Sequence, residues 1–233
     1  MQPLKLNPME CQAEFVATAL MQTQGLYCER DDRVLIRDLD FSLENGEVLQ
    51  IEGPNGSGKT TLLRILCGLS EDYEGDIFWS GQPRARVDEA FRQGTLYFGH
   101  LTGVKAALTP RENLRWILQL KGITASAALN PLIDQALQEV GLFSYEDVPV
   151  QALSAGQKRR VALARLQLEP ARLWVLDEPF TAIDRAGVAQ LEQLVQQHAE
   201  AGGAVLITTH HALELTGIRK LQLGLGKGTW RIL

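Results

Sequence analysis

Residues 53–60 read Gly53-Pro54-Asn55-Gly56-Ser57-Gly58-Lys59-Thr60, a glycine-rich run that ends in a lysine and a hydroxyl. The spacing G-x-x-x-x-G-K-[ST] lets successive main-chain N–H groups turn inward and cradle phosphate. The apolar residues 48–51 before it read as a buried strand. Residues 61–67 after it read as a helix with Leu62, Ile65, Leu66 and Leu69 on one face. The start of that helix adds partial positive charge beside the loop. In this setting Lys59 reaches the β- and γ-phosphates, the Thr60 hydroxyl holds Mg2+, and Thr61 continues the phosphate contact. A plain glycine-rich turn is the bland alternative, and the flanking strand and helix argue against it. The chain is therefore expected to bind a nucleoside triphosphate.

A second run, Leu173-Trp174-Val175-Leu176-Asp177-Glu178, sets four apolar residues before two carboxylates. A buried parallel strand has this pattern, with its acidic residues emerging at the carboxyl edge where ligands bind. Asp177 would complete the Mg2+ site with Thr60, and Glu178 would polarise the water that attacks the γ-phosphate. Alone the pattern is weak, since strands end in Asp-Glu by chance. Between the two runs lies Leu153-Ser154-Ala155-Gly156-Gln157. Ser154 and Gln157 form a capping box, and a helix follows with Val161, Ala164 and Leu168 on one face.

The elements that must position these residues alternate between strand and helix, which favours an α/β fold with a largely parallel sheet. The opening, 25–52, is strand-rich, with strands at 34–36, 41–43 and 48–51. Asn45-Gly46 between the last two is a hairpin signal. From about 105 to 170 the chain reads as helical. Thr109-Pro110-Arg111-Glu112 is a capping box opening a helix with Leu114, Ile117 and Leu118 inward. Asn130-Pro131 opens another, with Ile133, Ala136, Leu137 and Val140 inward and Gly141 as its stop. The sheet resumes at 173–176 and 205–208, and 220–225 with 229–232 closes it as a hairpin. Residues 1–24 are expected to be a poorly ordered extension, and 25–233 one domain.

The 233 residues carry a net charge of −5, which argues against a nucleic-acid binder working by phosphate neutralisation. The short cluster Lys158-Arg159-Arg160 is expected to be a solvated helix face or a partner contact. Cys11, Cys28 and Cys67 are scattered, suggest neither a disulfide framework nor a zinc site, and fit a reducing compartment. No apolar run is long enough to span a membrane.

The order of motifs, phosphate loop, then Leu-Ser-x-Gly-Gln, then Asp-Glu, resembles the ATP-binding cassette (ABC) ATPase family over roughly 25–225. The resemblance implies a P-loop NTPase core with N-terminal antiparallel strands and an inserted helical subdomain. It implies ATP and Mg2+ as ligands. It also implies a head-to-tail pair of identical chains, in which Ser154, Ala155, Gly156 and Gln157 of one copy close on the ATP held by the other. Ala155 stands where the family has glycine, a change tolerated if φ there is negative. Ala182-Ile183-Asp184 matches the family's D-loop, and His210 matches the switch histidine that meets the γ-phosphate. His211 is expected to be solvated.

Two positions depart from the family. His100 stands where a glutamine usually contacts Mg2+ and the attacking water, and a neutral imidazole there could still hold the water. Arg30 stands where an aromatic usually stacks on adenine. A guanidinium plane can stack on a base, and Tyr27 is the other candidate. These departures, with residues 146–157, 161–165 and 176–184, resemble the ATP-binding subunits of bacterial haem exporters used in cytochrome c maturation. That likeness implies a peripheral subunit on the cytoplasmic face of the inner membrane, partnered by integral membrane chains. Its ATPase cycle would drive haem export or release of haem from a carrier, and the subunit itself would not bind haem. An exporter subunit for a lipid or drug shares every ATPase residue and is the competing reading. A soluble ABC protein acting on DNA or ribosomes, and a haem-binding module without hydrolysis, fit less well.

Overall fold

A computed structural model of the chain describes residues 19–123, 129–224 and 228–233. Ten strands are found among them: β1 Met21–Arg30, β2 Arg33–Leu43, β3 Val48–Glu52, β4 Glu74–Trp79, β5 Gln82–Pro83, β6 Thr95–Phe98, β7 Leu173–Asp177, β8 Ala204–Thr208, β9 Ile218–Leu223 and β10 Trp230–Ile232. The α-helices are α1 Lys59–Leu66, α2 Asp88–Gly94, α3 Pro110–Leu120, α4 Leu129–Glu139, α5 Ala155–Leu163, α6 Arg165–Leu168 and α7 Arg185–Glu200.

The strands form two sheets. An antiparallel one runs β2-β1-β4-β5, and a six-stranded one runs β10-β9-β3-β8-β7-β6. In the second, β9, β3, β8, β7 and β6 are parallel neighbours, and β10 pairs antiparallel with β9 as the expected closing hairpin. Leu225, part of that expectation, lies outside the described residues. The parallel strands β7 and β8 are buried throughout, as strands covered on both faces must be. One apolar cluster joins the two sheets through α1, with Leu49, Ile51, Leu62, Leu66 and Leu206. A second covers the other face of the parallel sheet, with Leu176, Leu191, Val195 and Ile207.

Three expectations are corrected. Residues 34–36 and 41–43 belong to one strand, β2, whose pairing with β1 is interrupted by register shifts rather than a break. Asn45-Gly46 is not a hairpin turn, because β2 and β3 lie in different sheets. The turn carries the chain across, held by Gly46 N–H donating to Gly203 O at 2.8 Å and Glu44 N–H donating to the Glu47 carboxylate at 2.9 Å. The N-terminal extension does not reach residue 24, since Ala19 and Leu20 are buried and β1 is under way at Met21. The first 18 residues, Cys11 included, lie outside the described residues.

The helical stretch has its own apolar cluster, in which Leu114 and Leu118 of α3 meet Ile133 and Leu137 of α4 and Val161 and Leu168 of α5 and α6. Thr109 and Glu112 close the expected capping box. Gly141 ends α4, with its N–H on Gln138 O at 2.9 Å and that of Leu142 on Leu137 O at 2.8 Å. Helix α1 ends the same way one turn earlier than the periodicity suggests. Gly68 at φ 73° takes the left-handed position, its N–H meets Ile65 O, and Leu69 N–H meets Arg64 O. Leu69 is thereby thrown off the buried face and is 54% exposed.

Candidate active site

The phosphate loop joins β3 to α1. Gly58 at φ 97° caps the helix, and a Cβ there would stand 3.2 Å from the Cβ of Leu35 on β2, so both conformation and space call for glycine. The Lys59 ammonium turns back over the loop and donates to Gly53 O at 2.7 Å and Pro54 O at 3.2 Å. Above it lies an open cavity of about 580 Å3. Asn55, Gly56, Gly58, Lys59, Thr60 and Thr61 line one side, and His100, Asp177, Glu178 and His210 the other, with Leu35 and Thr181 completing the wall. Gly53, Pro54 and Ser57 stay out of it. The first two act through their carbonyls, and Ser57 is buried on the far side of the loop.

Strand β7 delivers the two carboxylates. Asp177 is buried and accepts a hydrogen bond from the Thr208 hydroxyl of β8 at 2.7 Å. Tyr97 of β6 lies against it, and its phenol is pushed up to about 12 by burial and by the Asp177 charge. Glu178 sits just beyond the strand at φ 49°, in the left-handed region that a non-glycine residue enters only when its surroundings hold it there. They do so from both ends. Its N–H donates to the main-chain oxygen and the hydroxyl of Thr208, both at 3.1 Å, and its carbonyl accepts from the Arg159 guanidinium at 2.6 Å. The result is a carboxylate oxygen, Oε1, that is buried with no hydrogen-bond partner and lies 3.6 Å from His210 Nε2.

Arg159 corrects the reading of 158–160 as a solvated helix face or a partner contact. It is 4% exposed, and besides Glu178 O it donates to Gly99 O at 3.2 Å and His100 O at 3.0 Å. Its guanidinium lies 4.3 Å from the Phe98 ring centre. Burial lowers its pKa, opposed by the charges of Asp177 and Glu178. Arg160 turns the other way, to Asp184 at 2.8 Å. Asp184 is the N-cap of α7, where its carboxylate accepts from Gly187 N–H at 3.1 Å. That bond, with the Arg160 charge, holds its carboxyl below the usual range.

Ser154 and Gln157 form the expected reciprocal cap on α5, with Gln157 N–H on Ser154 Oγ at 3.2 Å and Ser154 N–H on Gln157 Oε1 at 2.9 Å. Ala155 is not in the left-handed region, so the alanine is accommodated. None of Ser154, Ala155, Gly156 or Gln157 lines the cavity over the chain's own phosphate loop. Tyr27 and Arg30 are not among the residues that line it either. The Tyr27 hydroxyl donates to Glu29 at 2.6 Å, and Arg30 pairs with Arg33 at the β1–β2 turn. The Arg33 guanidinium lies 3.9 Å from where a Cβ on Gly56 would be. His211 is exposed, as expected, and faces Glu192 at 3.4 Å and the Phe180 ring.

The sequence reading missed Arg159, Thr208, Thr181 and Leu35. Thr208 carried a signal, being the polar end of an apolar strand, as Asp177 is. Arg159 carried none, because a basic residue at the start of a helix reads as solvent-facing. The donor set fits Mg2+. The Thr60 hydroxyl and the Asp177 carboxylate are hard oxygen ligands on one cavity. The described residues hold no cluster of three or more His, Cys, Asp or Glu that would make an all-protein cage, and Mg2+ prefers few protein ligands plus phosphate and water.

A parallel sheet with a phosphate loop after β3 and an acidic pair at the end of β7 defines a P-loop nucleotide-binding protein. The chain belongs to the ABC transporter family, whose model matches residues 36–181. It is 53% identical to a protein of Hahella chejuensis, over 89% of this chain and 97% of that one. To one of Yersinia pestis it is 52% identical, over 88% and 93%. Both are named cytochrome c biogenesis ATP-binding export protein CcmA. Among solved structures it resembles an ATP-binding subunit of an ABC transporter (TM-score 0.78, 23% identity, 92% of this chain and 90% of that one). It also resembles a dimeric ATP-binding cassette in a post-hydrolysis state with ADP and Pi (TM-score 0.77, 22% identity, 89% and 95%). At these identities the structural likeness speaks for the fold.

Proposed function

We propose that the chain, with residue 19 onward acting as one domain, is the ATP-hydrolysing subunit of an ABC-type membrane complex in cytochrome c biogenesis. The complex would drive haem export or release of haem from its carrier. The observation that carries the hydrolytic part is Glu178, which lines the cavity of the phosphate loop and holds a buried, unpartnered carboxylate oxygen 3.6 Å from His210. In this reading the loop N–H groups and Lys59 bind the β- and γ-phosphates. Thr60 and Asp177 hold Mg2+, which neutralises charge on the phosphate oxygens. Glu178 takes a hydrogen bond from the attacking water, and His210 and His100 border the γ-phosphate. Since Ser154–Gln157 lies off the chain's own cavity, it is free to close on the ATP of a second copy. The cargo assignment is supported by the relatives' names. Membrane partners would hold the subunit peripherally at the cytoplasmic face, consistent with the described residues having no helix long and apolar enough to cross a membrane.

The test is Glu178→Gln in the complex recovered from membranes. Release of phosphate should fall by about 10²–10⁴-fold, the scale of a general base, while ATP still binds. Wild-type turnover in that variant would remove Glu178 from the role. Purifying the tagged chain with its membrane partners and scanning for a haem Soret band tests the cargo. A partner permease without haem would leave the ATPase and overturn the haem assignment.

A further inference from the structure

Arg159 is a buried cation whose bonds go to main chain alone: Gly99 O, His100 O and Glu178 O. Burying a guanidinium is costly unless its donors are satisfied. Here three carbonyls and the Phe98 ring face satisfy much of it, although Nε has no partner. A guanidinium bonded to carbonyls reads no side chain. It fixes where two loops lie relative to the helix that carries it. Both loops border the nucleotide cavity, and the helix is α5, whose N-terminal residues Ser154–Gln157 lie within about one and a half turns before Arg159.

We propose that Arg159 is a positioning residue that ties the nucleotide-contacting end of α5 to the chain's own hydrolytic residues. It sets the Glu178 backbone and the His100 segment according to where α5 sits. This rests on the head-to-tail reading above. When α5 closes on the ATP of a second copy, its movement carries the carbonyls of Gly99, His100 and Glu178 with it. Hydrolysis in one copy is thereby conditioned on engagement of that copy's own Ser154–Gln157 segment. The planar fork suits this role, because two of its nitrogens span three carbonyls from two loops at once. An ammonium is a point donor and cannot reproduce that arrangement.

The experiment compares wild type with Arg159→Met and Arg159→Lys in two readouts. In amide hydrogen exchange with MgATP present, Arg159→Met should speed exchange in 99–102 and 178–182 by about tenfold or more and leave β3 and β8 unchanged, the signature of local rather than global opening. In steady-state hydrolysis by the membrane complex, kcat should fall by about 10²-fold, the cost of an ångström-scale misplacement, with KM for ATP within about twofold. Arg159→Lys should recover part of both. If Arg159→Met does not fold, Arg159→Gln, uncharged but able to donate to one carbonyl, takes its place with the same expectation. Unchanged exchange in the two loops, or exchange raised uniformly through the chain, overturns the proposal. A wild-type complex that hydrolyses no ATP counts against the ATPase reading instead, and the exchange arm still decides the role of Arg159.

Discussion

His198 of α7 lies flat on Trp174 of β7, ring centres 3.8 Å apart and planes 6° from parallel. A Cβ on Gly203 would come within 2.2 Å of its Nε2, so the next turn closes tightly over the ring. Nε2 is buried without a hydrogen-bond partner. Burial pushes the imidazole down from 6.5 to about 4, with main-chain groups of Arg172 and Ala204 offsetting only part of it. The sign follows. Below 6.5 the unfolded chain takes up a proton that the folded chain refuses until about pH 4, so stability is full above 6.5 and is lost as pH falls between the two values. At pH 5 the unfolded state gains about 2 kcal/mol relative to pH 7.5, which for a chain of this size lowers Tm by about 4–8 °C. The assay is a thermal melt from pH 7.5 to 5.0 of wild type and His198→Phe. The phenylalanine keeps a ring on Trp174 and removes the titration, so its Tm should fall less steeply by that amount, whatever its absolute stability. Asp184, held below the usual carboxylate range, titrates beneath this window and contributes no slope there. Identical slopes for the two proteins would refute the reasoning.

Thr208→Val keeps the shape of a fully buried side chain but takes from Asp177 its charge-assisted hydrogen bond. It should cost about 2 kcal/mol and 4–8 °C in Tm, whereas Thr208→Ser, losing one methyl, should cost about half as much. Equal losses for the two would mean that the hydroxyl is idle. Lys59→Ala removes the ammonium from the cavity and should weaken MgATP binding by about 10- to 150-fold in titration calorimetry, the scale of a hydrogen bond to a charged group. An unchanged Kd would refute the loop assignment.

What could be read in the sequence was local. The phosphate loop, both capping boxes and the Gly141 stop each depend on residues within a few positions of one another, and each is formed. Asn45-Gly46 was read as a hairpin for the same reason. A turn residue states its own conformation and not which strands it joins, and here the flanking strands part into different sheets. Leu69 was misplaced because periodicity continues past a helix end that Gly68 enforces. Leu35 and Arg33 could not be read locally, because it is the pairing of β2 with β1 that brings Leu35 to the cavity wall and Arg33 beside Gly56.

The arrangement of Glu178 lies wholly beyond local reading. Its left-handed backbone costs about 1–2 kcal/mol for an L-residue with a side chain, and nothing adjacent in sequence relieves this. The compensation arrives from β8 through Thr208 and from α5 through Arg159, residues on opposite sides of β7 in the chain order. Those same contacts leave the carboxylate free, because they engage the backbone of Glu178 at both ends. A residue restrained through its main chain can keep an unpaired acceptor at the cavity without collapsing onto a neighbour. His210 Nε2, at 3.6 Å, lies beyond hydrogen-bond distance of that oxygen. The strain and the two anchors are thus parts of one device, and it requires both β8 and α5 to be in place before Glu178 can face the phosphate loop.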